Sequence, residues 1–130
     1  MTNDEAHRLI KKGDLISLRR ELDGGISPDL PNKFSWTLLM LAALEGNVAV
    51  GELLLSRGAS VNKTNDFGET ALSLAAHNGH IGFVRILLDH GASKYCRPHG
   101  TTLENWMEVA SGLPQDKIRL ILDLINSGRI

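Results

Sequence analysis

Apolar positions along the chain fall into short helical stripes separated by glycine stops and polar turns. From Asn65 to Ala92, Leu72, Ala75 and Ala76 lie on one face at helical spacing after the hydroxyl of Thr70, an N-cap, and before Gly79, a stop. A second stripe of Ile81, Val84, Leu87 and Leu88 follows and closes at Gly91. The stretch from Asn32 to Ala59 repeats this plan 33 residues earlier: Phe34 falls on Phe67, Thr37 on Thr70, Leu41-Ala42-Ala43 on Leu74-Ala75-Ala76, Gly46 on Gly79, and Gly58-Ala59 on Gly91-Ala92. The small alanine pairs let a neighbouring helix approach closely, so each two-helix unit can bury its sides only against another copy of itself. Stacking is therefore built into the pattern.

The flanking segments follow the plan less faithfully. Asp4 to Lys12, the stop at Gly13 and the cap at Asp14 lead into a helix marked by Leu15, Leu18 and Leu22, with Arg20 and Glu21 where the next unit has leucines. Such polar residues suit the open side of a terminal unit. After Gly100, Thr101 and Glu104 form a capping-box signature, and Leu103, Trp106, Met107 and Ala110 make one apolar face. A last helix, Lys117 to Asn126, carries Ile118, Ile121, Leu122 and Ile125 in one stripe that Leu120 and Leu124 widen. Those two leucines either pack beneath Trp106 and Met107 or form an apolar end surface that docks a partner or a second copy. Gly51, inside a helix where the next unit has Val84, reads as a close helix contact or a local weakness.

Thr-x-Leu-x-Leu-Ala-Ala-x-x-Gly-His followed by Leu-Leu-x-x-Gly-Ala resembles the ankyrin repeat, most specifically over residues 32–95. The resemblance implies an all-α solenoid of stacked helix-turn-helix units with short hairpin-like fingers. Its units would be a capping repeat at 1–31, full repeats at 32–64 and 65–97, and a degenerate cap at 98–130. There are departures. Thr-Pro-Leu-His becomes Thr37-Leu38-Leu39-Met40 and Thr70-Ala71-Leu72-Ser73, so the histidine-to-threonine hydrogen bonds of the family are expected to be missing, and Ser35 stands where a turn glycine is expected. A variant of lower stability is the implication.

Charge and composition narrow the function. A net charge of -1 is too neutral for a general binder of nucleic acid or anionic membrane, and the 42% hydrophobic residues suit one globular domain. One cysteine, Cys96, permits no intrachain disulfide. Together with the polar start Met1 to Glu5 and the short apolar runs, it points to cytosol or nucleus. His77 and His80, or Cys96 and His99, lack the further ligands that a zinc site needs, and His80 occupies the turn position where the family uses histidine for backbone hydrogen bonding. No phosphate-cradling glycine run and no nucleophile beside a base emerge, so neither an enzyme nor a cofactor is expected.

The family binds proteins on the concave side formed by fingers and first helices. Carried over residue by residue, that surface comprises Lys33, Phe34, Trp36, Leu44 and Glu45, then Asp66, Phe67, Glu69, His77 and Asn78. Phe34, Phe67 and Trp36 are either partner anchors or finger-to-finger packing. Glu45, Asp66 and Glu69 give the side an acidic tone that favours a basic or mixed segment. The expectation is a monomeric adaptor or inhibitory subunit, with self-association through the last helix as the alternative.

Overall fold

A computed structural model describes residues 1–127, and the last three residues of the expected 98–130 unit lie outside them. Four helix pairs follow one another: α1 (Asn3–Lys12) with α2 (Leu15–Asp23), α3 (Leu38–Glu45) with α4 (Val48–Ser56), α5 (Ala71–His77) with α6 (Ile81–Asp89), and α7 (Leu103–Ala110) with α8 (Gln115–Asn126). A single 3-10 turn, Pro98–Gly100, precedes α7. First helices pack in the order α1, α3, α5, α7 and second helices in the order α2, α4, α6, α8, giving two layers. All-helical stacking is what the repeat pattern requires, and the described residues contain no strand.

Burial follows position in the stack. From Leu38 to Ala43 and from Ala71 to Ala76 every residue is buried, because α3 and α5 have a helix pair on each side. The alanine pairs Ala42-Ala43 and Ala75-Ala76 have no exposed surface. End helices bury one stripe: Ala6 and Ile10 on α1, Leu18 and Leu22 on α2, Leu103 and Met107 on α7. On α8 the two widening leucines divide, since Leu124 is buried among core residues while Leu120 is 51% exposed. The apolar end surface is thus reduced on α8 to Leu120, in a shallow recess with Arg85 and Asp123.

Caps explain where helices begin. The hydroxyls of Thr2, Thr37, Thr70 and Thr102 accept from the backbone N–H three residues on, and Asp14 and Asn47 do the same for α2 and α4. Thr102 replaces Thr101 as the expected cap of α7, with Thr101 Oγ1 instead accepting from Asn105 Nδ2 at 2.8 Å. The reason is length: Thr70 follows Thr37 by 33 residues but Thr102 follows Thr70 by 32, so the third finger is one residue short. The missing family histidine is made good locally. Ser73 Oγ accepts from Thr70 N–H at 2.8 Å, and Met40 Sδ stands 3.5 Å from Thr37 N, closing a reciprocal box in each repeat. Ser35 takes the turn glycine's left-handed conformation at φ 66°. The expected weakness of these units therefore loses its hydrogen-bond basis.

Gly51 is a packing residue. A Cβ there would lie 2.6 Å from Cε2 of Phe83, a ring with no exposed surface, so α4 and α6 approach across a position where only hydrogen fits. Gly51→Ala is expected to lower stability by about 1–2 kcal/mol in urea unfolding, the overpacking outweighing the roughly 1 kcal/mol gain in helix propensity. A second prediction concerns Asp14. The backbone N–H of Ser17 holds its carboxyl below the ordinary range. A depressed folded value means that the cap's stabilisation is complete above the ordinary carboxylate range and lost as pH falls toward the folded value. Asp14→Asn keeps the cap and should remove this component from the pH profile of stability below pH ~4.

Candidate functional site

The fingers are built on asparagine. Asn32 Oδ1 accepts from the N–H groups of Phe34 (2.9 Å) and Trp36 (3.0 Å), and Asn65 Oδ1 accepts from those of Phe67 (2.9 Å) and Glu69 (3.1 Å). Each asparagine also exchanges backbone bonds across the same turn, which fixes the phenylalanine two residues on. Fingers then pair: the N–H of Asp66 donates to Phe34 O at 3.0 Å, and that of His99 to Phe67 O at 2.7 Å. At the base, Asp29 accepts from the N–H and hydroxyl of Ser60, and Asn62 Oδ1 accepts from the N–H of Ser93.

This pairing sets side chains in a row. Phe34 and Phe67, each 44% exposed, have ring centroids 6.1 Å apart; Phe67 and His99 are 5.9 Å apart, and His99 and Trp106 5.4 Å. Trp106 of α7 stacks on His77, the last residue of α5, at 4.2 Å. The strip crosses three fingers and turns onto the first helices. At its open end the Lys33 ammonium lies 5.1 Å from the Phe34 ring centroid.

The residues expected on this side occupy several environments. Lys33, Phe34, Asp66 and Phe67 are exposed on the fingers, and His77 is half-buried within the strip. Trp36 is half-buried against the core and joins no ring pair of the strip. Leu44 is half-buried, and its carbonyl accepts from His80 Nε2 at 3.1 Å. Glu45 stands 3.4 Å from His7 Nε2, and Asn78 caps α5 by donating to Leu74 O. Glu69 requires correction as a surface anion. It is 7% exposed, with Oε1 accepting from Asn65 Nδ2 at 2.8 Å and Oε2 lying 3.0 Å from His99 Nε2. Its carboxylate braces the finger turn from inside.

The structure adds His99 and Trp106. In the sequence Trp106 read only as part of an apolar helix face, and His99 only as a companion of Cys96. Those two part company: His99 pairs with Glu69, while Cys96 is buried in the core. Burial pushes the Cys96 thiol up, which disfavours the nucleophilic thiolate. His77 and His80 also diverge, to Ala110 O and Leu44 O. Among the described residues no three His, Cys, Asp or Glu side chains gather as a metal site, and no helix is long and apolar enough to cross a membrane.

Stacked helix pairs, hydrogen-bonded fingers and a ring-lined face define a solenoid repeat protein of the interaction type. A model of ankyrin repeats in three copies matches residues 6–98, and the chain belongs to the ankyrin-repeat family. Similar proteins include the ankyrin repeat, SAM and basic leucine zipper domain-containing protein 1 of Atelerix albiventris, 38% identical over 58 residues, a stretch covering 45% of this chain and 12% of that protein. The protein of the same description from Equus caballus is 40% identical over 57 residues, covering 44% and 12%, and that of Rhinolophus ferrumequinum 40% over 58, covering 45% and 12%. The matched stretch is thus about an eighth of each relative's length. Ankyrin repeats are in general protein-interaction modules without catalytic activity.

The strip fixes two tautomers. A carbonyl or carboxylate oxygen only accepts, so in the neutral ring Nε2 is the protonated nitrogen of His77, facing Ala110 O at 3.1 Å, and of His99, facing Glu69. Nitrogen-15 NMR of the imidazole side chains should show both as Nε2–H tautomers, and His99 alone should change when Glu69→Gln is introduced.

Proposed function

We propose that this chain binds a protein partner across the aromatic strip on its concave side, as an adaptor or as an inhibitory subunit that covers an enzyme, and that it does so as a monomer in cytosol or nucleus. The observation that carries the reading is the pair Phe34 and Phe67. Both rings are 44% exposed, yet the backbone that carries each is held by its own asparagine turn and by a finger-to-finger bond, and the two rings lie 6.1 Å apart. Large apolar side chains on a backbone fixed before contact lose less entropy on binding, which is the property of an interface anchor. The likeness to multidomain ankyrin-repeat proteins supports an interaction role without naming a partner. Self-association through α8 has less support, since Leu124 is spent in the core.

Capture from an extract of the source cells with wild type and with a Phe34→Ala, Phe67→Ala variant tests this. The variant should retain its helical circular dichroism and lose the partner by roughly 30-fold in affinity or more, the scale of an anchor worth about 2 kcal/mol. Equal capture by two equally folded proteins would move the site off the strip.

A further inference from the structure

We propose that the outer edge of the first finger takes an extended segment of the partner carrying an aromatic residue, which gives its carbonyl to the N–H of Lys33 and its ring to Phe34; this rests on the concave-face reading above. The repeat register carries it. Lys33, Asp66 and His99 correspond at a spacing of 33 residues. In the two later fingers these N–H groups donate to the finger before, Asp66 to Phe34 O at 3.0 Å and His99 to Phe67 O at 2.7 Å. Among the described residues no finger precedes that of Lys33, and its N–H meets no acceptor.

The first two fingers share one shape. Asn32 and Asn65 each accept through Oδ1 from the residues two and four further on and through the backbone oxygen from the third, Ser35 or Gly68, which is left-handed in both at φ 66° and 74°. The N–H of Asp66 is directed at the preceding finger, so that of Lys33 is directed off the outer edge of the stack. Space is open there: Thr2, Asn3 and Asp4 at the start of α1, with Lys33 and Phe34, line a recess of about 380 Å³. A segment laid along this edge continues the pairing that the fingers already make, the mode by which an exposed backbone edge binds an extended chain. The existing pairs also set what it brings. Phe34 supplies both the carbonyl that Asp66 N–H meets and the ring 6.1 Å from Phe67, so the residue that answers Lys33 N–H places its own side chain beside Phe34. An aromatic side chain there lengthens the strip by one ring and comes within reach of the Lys33 ammonium, 5.1 Å from the Phe34 centroid.

Hydrogen exchange of nitrogen-15-labelled wild type sets the baseline: the Lys33 amide should exchange about tenfold or more faster than those of Asp66 and His99. Protection equal to theirs in the free monomer would overturn the inference. Binders are then selected on wild type from a random peptide library displayed on phage, and enrichment of one aromatic position is expected. Adding such a peptide should move the Lys33 amide downfield and slow its exchange about tenfold or more, with Asp66 and His99 unchanged. An ester in place of the peptide bond after the aromatic, whose carbonyl is a weaker acceptor, should lower affinity about fivefold. Peptides that need Phe34 and Phe67 yet leave the Lys33 amide unprotected and tolerate the ester would overturn this inference and leave the groove reading intact. Peptides indifferent to those rings, or none, would overturn both. Protection of the Lys33 amide that grows with the protein's own concentration would overturn it in favour of a second copy on this edge.

Discussion

The backbone bonds that tie each finger to the next govern the rest of the molecule. A helix pair of this kind has two apolar sides, and the alanines at the inner positions set how near the next pair must come. That distance is short enough for Asp66 N–H to reach Phe34 O and for His99 N–H to reach Phe67 O, so core packing and finger register are one constraint. Gly68 shows how tight it is. A Cβ there would collide with the carbonyl oxygen of Arg97, so the second and third fingers touch through backbone. Ring spacing along the strip follows from this contact rather than from ring attraction alone.

One residue of the strip sits in a costly conformation. His99 has φ 52°, in the left-handed region that a non-glycine residue enters at roughly 1 kcal/mol or more. The third finger is one residue short and has Arg97 where Asn32 and Asn65 organise the earlier turns, so it lacks their side-chain acceptor. What holds it is the 2.7 Å backbone bond to Phe67, the pair with Glu69 and ring contacts on two sides. Glu69 needs this partner equally. A carboxylate buried to 7% exposure is stable only when its oxygens are satisfied, and Asn65 and His99 take one each.

Much of this was legible in the residues because repetition makes period visible: the four helix pairs, their glycine stops and the alanine-lined core all follow from matches at a fixed spacing. The reciprocal caps were hidden because Ser73 and Met40 replace the expected histidine by chemistry no motif records. Thr101 was the wrong cap because one deleted residue shifts the third unit without erasing its pattern. On the candidate face, Phe34 and Phe67 were readable as a recurring pair. Glu69 was not readable as buried, since its environment depends on Asn65 within its own turn and on His99 in the next finger. Trp106 likewise joins the strip through a neighbouring unit's histidine.

Rigidity of this sort divides the histidines by task. His80 spends its Nε2 on Leu44 O and leaves α6 without a side-chain cap, so a local helix start is given up for a bond between repeats. Adding a Cβ at Gly46 would bring it within 2.5 Å of the His80 ring, so that glycine serves the contact as well as its turn. His77 and His99 make the same kind of bond, Nε2 to an oxygen of another unit, but with their rings stacked at the surface of the strip. One nitrogen of each is thereby committed to holding two units together. A fold that ties its own surface side chains together through bonds between units has the shape of that face set before any partner arrives.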